Sequence, residues 1–388
     1  MQCLHLGHVL TRDHIFVAVD GRQVYRAQRR GTGKNLIDLY GQLAQLRPNW
    51  CFVLFHQFDV SVDPLAGFPQ LQHRQIDIKG GDRFNLWEQF LLPLAAWTSG
   101  ATVLHCPANT GPSRPLTPLV LTVHDLIPLE IAPNAPTSRL WMRRVSAAVR
   151  KARHIITPSN YSKRLLIEHF GVSSEKITVN PWAPDRKLCR LTDVNELNRV
   201  RRKYGLRSNE PYIFAFGAED PRKNTRLLIE AYAGIVPALR KEHRLLLVGI
   251  QEQALLEFRA IADQFGVAGQ VVLHGFADEA DIPALLSGAT VLCFPSRSEG
   301  FGLPILDAFV CRTAVLTSNR TSLPEVAGDA AILVNPDSKE AIGDGLETLL
   351  SDESLRQKLV ARGSERVRQF SWERVAETVA GVFEQVAG

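Results

Sequence analysis

The sequence predicts an α/β protein made of two domains, each with a parallel sheet whose strands alternate with helices. Short apolar runs bounded by turn residues recur along the chain and indicate buried strands, and segments with apolar residues at helical spacing follow many of them. The pattern restarts near residue 211 after a charged stretch, and 388 residues exceed one ordinary core but suit two. We therefore predict an N-terminal domain over 1–182, a linker over 183–208, a C-terminal domain over 209–370 and a terminal helix over 371–388.

Bulk composition excludes several classes of protein. With 45% hydrophobic and 22% charged residues, both domains can bury a core, which excludes disorder. A formal charge of +5 is too small an excess for a nucleic-acid binder. Six scattered cysteines without a Cys-x-x-Cys pair fit a reducing compartment, and no leader or run of about 18 apolar residues occurs. We expect a soluble cytoplasmic protein whose membrane contact, if any, is peripheral.

The N-terminal half contains six segments that read as strands, at 15–19, 51–55, 102–105, 119–123, 154–157 and 177–181. Helical spacing follows the first strand from Leu36 to Leu46, and an apolar helix is predicted over 85–97. We expect its tryptophans, Trp87 and Trp97, to pack in the core.

Polar residues stand at the carboxyl ends of these strands, where open α/β sheets bind ligands. His105 and His124 are predicted to lie at this rim, with His105 as a structural hydrogen-bonding group. Between the first strand and its helix, Gly31 and Gly33 form a predicted glycine loop. Such a loop lets a diphosphate approach the backbone, although the third glycine of the dinucleotide fingerprint is missing; a plain tight turn is the alternative.

The C-terminal half repeats the pattern, with strands predicted at 211–216, 244–248, 270–274, 289–294, 313–317 and 330–334. Helices are predicted over 226–238, over 280–286, from Leu303 or Pro304 onward, within 338–368, and from a Ser371 cap to residue 386.

The loop after the strand at 289–294 is the stretch on which the functional prediction depends. Two glycines, Gly300 and Gly302, bracket Phe301, and Leu303-Pro304 begins a helix whose first amides lack intrahelical partners. Such a helix tip attracts phosphate or sugar oxygens. Two carboxylates near it, Glu299 in the loop and Asp307 in the helix, can accept hydrogen bonds from sugar hydroxyls; alternatively, they are ordinary loop and helix charges.

A second motif, Ala218-Glu-Asp-Pro-Arg222-Lys223-Asn224, follows the strand at 211–216. Two fixed cations beside a helix start can neutralise a diphosphate, Lys223 as a point donor and Arg222 through a bidentate fork. A solvated Arg-Lys pair in a turn is the alternative.

The residues from Glu299 to Phe309, followed by 317–331, closely resemble the nucleotide-sugar signature of GT4 retaining glycosyltransferases, which have the GT-B fold. That signature has a Glu at both ends, whereas this chain has Asp307 at the second position, one methylene shorter. The resemblance implies two Rossmann-like doubly wound domains facing a cleft, with the terminal helix packed back on the N-terminal domain.

The resemblance also assigns roles to single residues. It implies that Lys223 binds the donor pyrophosphate, with Arg222 sharing that role or pointing away, and that His124 contacts the donor sugar. It places Gly31 and Gly33 across the cleft from the phosphates. It also implies that the nucleotide base is contacted at the end of the strand at 270–274 and just after it, by His274, Gly275 and Phe276.

The function that follows from the resemblance is retaining transfer of a hexose from a nucleotide sugar, with GDP-mannose favoured, to a hydroxyl of a glycan or lipid-linked glycan. No Asp-x-Asp triplet occurs, so the transfer is expected to need no metal, and no cofactor is expected because the donor is a substrate. Three alternatives share the fold or the site: a sugar-nucleotide epimerase, a glycogen-type phosphorylase and a non-catalytic nucleotide-sugar-binding subunit.

One basic helix, predicted over 138–154, is a candidate for peripheral membrane contact on the inner face. Its cations include Arg143 and Arg144. A basic amphipathic helix can rest on anionic lipid or hold an acceptor diphosphate, while a solvated face is the simpler alternative.

Overall fold

The computed structural model describes residues 14–27, 31–78, 85–131 and 135–388. The chain divides into two compact units: unit 1 is Met1–Trp182 with Ser371–Gly388, and unit 2 is Ala183–Phe370. The segment predicted as a linker is therefore part of unit 2.

Unit 1 contains a parallel sheet of seven strands in the order β3-β2-β1-β4-β5-β6-β7. The strands are β1 Phe16–Asp20, β2 Cys51–His56, β3 Leu71–Gln75, β4 Val103–Cys106, β5 Leu119–Thr122, β6 His154–Thr157 and β7 Ile177–Val179. Strand β3 was not predicted, because its sequence is mostly polar and it pairs only with β2 at the sheet edge.

The helices of unit 1 cover both faces of this sheet. They are α1 Gly31–Leu46, α2 Leu92–Thr98 with a preceding π-helical turn Trp87–Leu91, α3 Ile127–Ile131, α4 Pro136–Lys151, α5 Asn160–Phe170 and α15 Trp372–Ala387. Buried residues of α2, α4 and α5 share one apolar cluster with inward residues of the strands, so these three helices lie on the same face. The terminal helix α15 packs with α1 on unit 1, where the Phe383 ring lies 5.2 Å from that of His105.

Unit 2 contains a parallel sheet of six strands in the order β10-β9-β8-β11-β12-β13. The strands are β8 Tyr212–Phe216, β9 Arg244–Val248, β10 Val271–His274, β11 Val291–Phe294, β12 Ala314–Ser318 and β13 Ile332–Val334. The helices are α6 Val194–Lys203, α7 Thr225–Gly234, α8 Pro237–Glu242, α9 Glu252–Gln264, α10 Ile282–Gly288, α11 Leu303–Val310, α12 Leu323–Ala327, α13 Lys339–Ser351 and α14 Glu353–Arg366. Two parallel α/β sheets confirm the predicted fold class.

Two helix predictions were wrong in detail. The helix predicted over 226–238 is interrupted after Gly234, because Pro237 cannot continue it and instead begins α8. The predicted glycine loop is also wrong where the structure describes it: α1 already begins at Gly31, and residues 28–30 lie outside the described residues. Gly33 is buried, and the packing of buried residues that follow it, such as Leu36 and Tyr40, stabilises the helix.

Two predictions about side-chain environments were also wrong. His105 does not lie at the rim but inside β4, where Tyr40 contacts its Nδ1 at 2.5 Å and Thr122 its Nε2 at 2.8 Å. These contacts confirm its predicted role as a structural hydrogen-bonding group. Burial, with a smaller effect from His124, lowers the pKa of His105 to about 3. Trp87 is buried as predicted, whereas 59% of Trp97 is exposed.

Within the residues that the structure describes, no helix is both long and apolar enough to cross a membrane. Of the cysteines in this part of the chain, Cys106, Cys189, Cys293 and Cys311 are free thiols.

Candidate functional site

The strand order of unit 2 reverses between β8 and β11, which lie side by side at the centre of the sheet. The chain runs outward from β8 through β9 to β10 on one side and from β11 through β12 to β13 on the other. At such a reversal the loops after the two central strands diverge and leave a crevice at their carboxyl ends. Both predicted motifs follow these strands, in a 3-10 turn Pro221–Lys223 and in the loop 295–302.

Glu299 joins the two motifs. Its Oε1 lies 2.7 Å from Lys223 Nζ, and its Oε2 lies 2.8 Å from a terminal nitrogen of Arg222. The Ser296 hydroxyl donates a further hydrogen bond of 2.7 Å to Oε1. Only 12% of the Glu299 side chain is exposed, so this carboxylate is held by three donors in a largely enclosed position.

Arg222 is bound between two carboxylates. Its Nε donates to Asp220 Oδ2 at 2.7 Å, while the other end of the guanidinium contacts Glu299. Burial disfavours the charged form, but the Glu299 and Asp220 carboxylates outweigh it and raise the pKa of Arg222. Lys223 differs: Glu299 is its one hydrogen-bond partner among the described residues, so two of its three N–H groups remain available. Lys223 therefore has free capacity for an anionic ligand, whereas Arg222 mainly fixes Glu299.

Asn224 holds the loops of this crevice together and was not predicted as a site residue. Its backbone is left-handed, with φ of 63°, which Asn tolerates better than most residues. Its buried side-chain amide donates to the Pro295 carbonyl at 3.1 Å and to the Pro336 carbonyl at 2.6 Å, joining the loops after β8, β11 and β13. The signal in the sequence was an Asn between two basic residues and a helix start. That signal is too common to identify such a role alone.

The tip of α11 forms as the glycine and proline pattern predicts, because Gly302 caps the helix and Leu303 is its first residue. Gly302 has φ of +120°, and a Cβ there would lie 2.7 Å from Leu323 Cδ2, so only glycine fits without strain. The backbone amides of Phe301, Gly302 and Leu303 donate to no described residue. The helix tip therefore presents donors beside the Glu299 cluster.

Side chains around this tip brace it. The Ser322 hydroxyl lies 2.8 Å from the Glu299 carbonyl oxygen and 2.7 Å from that of Phe301. The Phe301 ring is buried and packs edge-on against Phe370, with ring centroids 6.1 Å apart. Phe301 can therefore contribute its backbone to a ligand, but not its ring.

The other predicted site residues of unit 2 lie in the second turn of α11 and at the end of β10. Asp307 is half-buried in the second turn of α11 near Cys311, whose thiol pKa is raised to about 12 by burial with a smaller effect from Asp307. His274 ends β10, which β9 separates from β8, and its ring packs 4.7 Å from that of Tyr204. Gly275 and Phe276 follow it, and the Phe276 side chain is exposed.

In unit 1, His124 follows β5 and is half-buried. Its Nε2 lies 2.6 Å from the Pro107 carbonyl oxygen, and its backbone N–H donates to Asn109 Oδ1 at 2.6 Å. Burial lowers the pKa of His124, against weaker opposing effects of the Pro107 hydrogen bond and Asp125. A carbonyl can only accept, so Nε2 carries the proton and Nδ1 holds a lone pair, for which the described residues supply no donor.

The sheet of unit 1 reverses its strand order between β1 and β4, where a second charged cluster lies. Arg22 contacts Asp20 at 2.6 Å and Glu88 at 2.5 Å, and its guanidinium stacks 4.6 Å from the Trp87 ring centroid. Both carboxylates are buried, and Thr110 donates a further hydrogen bond to Glu88. The charged groups of this cluster therefore contact one another and Thr110.

Among the described residues, no three or more His, Cys, Asp or Glu side chains are arranged to hold a metal ion.

Two family descriptions match the chain. Residues 198–366 match the family described as Glycosyl transferases group 1, and residues 71–185 match Glycosyltransferase Family 4. Together these matches cover the carboxyl-terminal part of unit 1's sequence and most of unit 2.

Individual relatives of the chain are also named as glycosyltransferases. The chain is 31% identical over 273 residues to an Escherichia coli protein named O-antigen chain mannosyltransferase B, covering 70% of this chain and 71% of that one. It is 30% identical over 284 residues to the serotype-specific mannosyltransferase WbdA of Escherichia coli, covering 72% of this chain but only 34% of that longer protein.

Among solved structures, sucrose-phosphate synthase from Thermosynechococcus elongatus matches with a TM-score of 0.76 over 96% of this chain and 98% of that one. The sequence identity is 20%, so this match concerns the fold.

Proposed function

The chain belongs to the family 4 glycosyltransferases with the GT-B fold, and from this premise we propose that it transfers mannose from GDP-mannose to a hydroxyl of a glycan or lipid-linked glycan. The observation that carries the proposal is the contact of Lys223, Arg222 and Glu299 at the β8/β11 strand reversal, beside the open amides of α11. Mannosyl transfer is the activity in the names of both sequence relatives, which supports this sugar and, with it, GDP as the carrier.

In this proposal Lys223 binds the donor diphosphate. Its ammonium keeps two N–H groups beyond the Glu299 contact, and the amides of Phe301, Gly302 and Leu303 add donors at the positive end of α11. When the bond between the anomeric carbon and the phosphate oxygen breaks, negative charge grows on that oxygen. Donors that are fixed in advance stabilise this charge without reorganising. No cofactor enters the scheme.

Glu299 is proposed to accept hydrogen bonds from hydroxyls of the sugar while Arg222 holds it in place. Arg222 contacts Glu299 Oε2, and Asp220 fixes the other side of the guanidinium, so the carboxylate has little rotational freedom. Asp307, on α11, is proposed as a contact for the donor ribose, and His274, Gly275 and Phe276 as contacts for the base.

His124 is proposed to accept a hydrogen bond from a sugar hydroxyl through Nδ1. Its lowered pKa keeps the ring neutral at pH 7, and the Pro107 contact fixes the proton on Nε2. In this state His124 orients the sugar and is not a proton donor toward it. Gly31 and Gly33, in the first turn of α1, are proposed to approach the donor phosphates through their backbone.

The proposed reaction retains the anomeric configuration. The acceptor oxygen forms its bond to the anomeric carbon on the face that the diphosphate leaves, and the departing phosphate oxygen takes the acceptor proton. One glycosidic bond replaces one bond to phosphate, and the proton ends on the nucleoside diphosphate. Protein cations and backbone amides supply the charge stabilisation that a metal gives other transferases.

The test is a panel of nucleotide sugars, with release of nucleoside diphosphate followed in the presence and absence of an octyl mannobioside acceptor. We expect GDP release from GDP-mannose that depends on the acceptor, with an α-linked trisaccharide product. Turnover of the donor to an isomer without acceptor would indicate an epimerase. Binding without turnover would indicate a nucleotide-sugar-binding subunit.

We also propose that unit 1 contacts an anionic membrane surface on the cytoplasmic side through α4. Residues 136–153 contain six basic and no acidic residues, and Arg143 and Arg144 are exposed. A lipid-linked acceptor would require the enzyme at this surface. We expect Arg143→Ala/Arg144→Ala to bind phosphatidylglycerol vesicles more weakly than the Arg259→Ala/Lys358→Ala control, whose exposed cations lie in unit 2; equal binding would reject this contact.

A further inference from the structure

A row of large apolar side chains on unit 1 is exposed to solvent. Leu86, Phe90, Leu94 and Trp97 are spaced by four, four and three residues along the π-helical turn and α2, which places them on one side of the helix. Their exposed fractions include 64% for Phe90 and 59% for Trp97. We call these four residues the apolar stripe. Scattered apolar residues are common on surfaces, but a contiguous row of this size marks an interaction site.

The apolar stripe is not the result of a helix that fails to pack. The opposite side of the same helix is fully used, because Trp87, Leu92 and Ala96 are buried against the sheet. A helix that is apolar on both sides is normally buried on both sides. Within the part of the chain that the structure describes, nothing covers the exposed side.

The surface of the apolar stripe also lacks charge. The sequence contains no Asp, Glu, Lys or Arg between Gln89 and Ser113. Glu88, just before, points inward, with 2% exposure and a contact to Arg22. Moving the stripe into an apolar medium would therefore dehydrate no ionised group on this helix, which removes the largest cost of such a transfer.

Cations lie on the same side of unit 1. The buried residues of α2 and α4 belong to one apolar cluster on one face of the sheet, so the outer sides of both helices point away from that face. The outer side of α4 exposes Arg139, Arg143 and Arg144, together with Leu140. A neutral apolar row and a basic row thus lie on one surface.

An apolar row beside a basic row favours an anionic membrane over a second copy of the chain as the binding partner. A second copy of the chain would bring two basic α4 surfaces near each other, so like charges would oppose the contact. An anionic bilayer accepts both rows at once: its acyl region takes the apolar side chains and its headgroup phosphates take the arginines. A tryptophan at the end of such a helix also suits the boundary between the two regions.

We propose that the apolar stripe inserts into the interfacial region of an anionic membrane and anchors unit 1 there, while the α4 cations provide the charge contact. This inference rests on the proposed function, because it names the surface by which the enzyme would reach a lipid-linked acceptor. It adds a second type of attraction, since electrostatic contact and shallow insertion together give stable binding where one of them alone gives marginal binding.

The test compares variants of the full chain on vesicles of phosphatidylglycerol and phosphatidylethanolamine by co-sedimentation at low and high salt. Phe90→Ser/Trp97→Ser removes two members of the stripe, and we expect vesicle affinity to fall by about tenfold or more at both salt concentrations. Arg143→Ala/Arg144→Ala is expected to lower affinity mainly at low salt, because ionic attraction is screened. Leu256→Ser/Val194→Ser is the matched control: it removes two exposed apolar residues of unit 2 and should bind as the unchanged protein does.

The depth to which the apolar stripe inserts into the membrane is measured separately, by quenching of tryptophan fluorescence with brominated lipids. Because Trp141 lies on α4 and is only half-buried, the comparison is made in a Trp141→Phe background. We expect quenching in Trp141→Phe that is largely lost in Trp97→Phe/Trp141→Phe, a variant that keeps the stripe apolar. Unchanged vesicle binding of Phe90→Ser/Trp97→Ser, or quenching that survives in Trp97→Phe/Trp141→Phe, would overturn the inference. A loss of self-association in the serine variant without a loss of vesicle binding would also overturn it, in favour of a protein interface.

The octyl mannobioside assay without vesicles separates this inference from the proposed function. The stripe variants should transfer mannose to this soluble acceptor at the unchanged rate, because none of the proposed donor-binding residues is altered. Absence of transfer by every form of the chain would reject the proposed function, while the vesicle result would still decide the membrane anchor.

Discussion

The two units place an arginine in similar positions, with different consequences. In unit 1, Arg22 follows β1 and contacts Asp20 and Glu88; in unit 2, Arg222 follows β8 and contacts Asp220 and Glu299. Both arginines lie at a reversal of strand order, two residues after the aspartate that they bind. Each unit thus uses an Asp-x-Arg pair to hold a second carboxylate from a distant segment.

The surroundings of the two pairs differ. The unit 1 cluster has one cation for two carboxylates, both of them buried, and its spare acceptors are taken by groups such as Thr110. The unit 2 cluster adds Lys223, which is 21% exposed and retains unused N–H groups. One further cation and partial exposure thus distinguish a cluster that can take a ligand from one that only stabilises the fold.

The largest effect is expected from Arg22→Leu, which leaves Asp20 and Glu88 buried without their cation. Such a change typically costs about 3–5 kcal/mol of unfolding free energy. Denaturant unfolding measures it, with Arg226→Leu as the control. Arg226 is 60% exposed and pairs with Glu230 at 3.3 Å, so its loss should change stability by less than about 1 kcal/mol. Equal stability of the two variants would show that the unit 1 cluster is not structural.

Lys223→Ala is expected to lower the rate of transfer but not stability, in contrast to Arg22→Leu. Removal of a donor that stabilises transition-state charge typically lowers kcat by about 10²–10³-fold. The unfolding free energy should change little, because the Lys223 side chain is partly exposed. Acceptor-dependent GDP release measures the rate, and Lys241→Ala, on α8, serves as a lysine control. Transfer at the unchanged rate in the Lys223 variant would contradict the assignment.

Gly302→Ala tests the backbone at the α11 tip. The positive φ and the 2.7 Å approach to Leu323 predict a loss of about 1–3 kcal/mol in unfolding free energy, with weaker donor binding because the amides shift. Gly234→Ala is the matched control, since a Cβ there meets nothing within 4 Å and φ is not positive. A Gly302 variant as stable as this control would show that the tip is not constrained.

The pH dependence of stability concerns unit 1 and His105. The folded-state pKa of His105 is about 3, below an unfolded value near 6.5, so the unfolded chain binds the extra proton first as pH falls. Stability is therefore full above about pH 6.5 and falls as pH drops toward 3, by at most about 1.4 kcal/mol per pH unit for this group. His105→Gln should flatten part of this slope in denaturant titrations between pH 6.5 and 4; an unchanged slope would contradict it.

Much of the fold could be predicted, because buried parallel strands are short apolar runs with clear boundaries. The strand β3 escaped prediction since an edge strand needs no apolar run. The start of α1 escaped it because Gly31 and Gly33 have poor helix propensity, which the packing of Leu36 and Tyr40 outweighs in the fold. The tip of α11 was predicted from Gly302 and Pro304 because both residues have narrow backbone requirements.

The composition of the site could be predicted only in part. The two motifs indicated Lys223 and Glu299, but nothing local showed that they would form an ion pair, because their strands pair only in the folded sheet. The bracing by Asn224 and Ser322 depends on the loops after four strands, β8, β11, β12 and β13, and is likewise a tertiary property. The exposure of Trp97 could not be predicted, since an apolar helix in sequence does not show how many of its sides the domain covers.

The central claim is that the Lys223–Glu299 crevice binds the donor diphosphate without a metal. Calorimetric titration of GDP into the unchanged protein and into Lys223→Ala, each with and without EDTA, tests it most directly. We expect EDTA to leave GDP affinity unchanged and Lys223→Ala to weaken it by about tenfold or more, the loss of one charge-assisted contact to phosphate. Affinity that disappears with EDTA, or that is the same in both proteins, would contradict metal-free binding by Lys223.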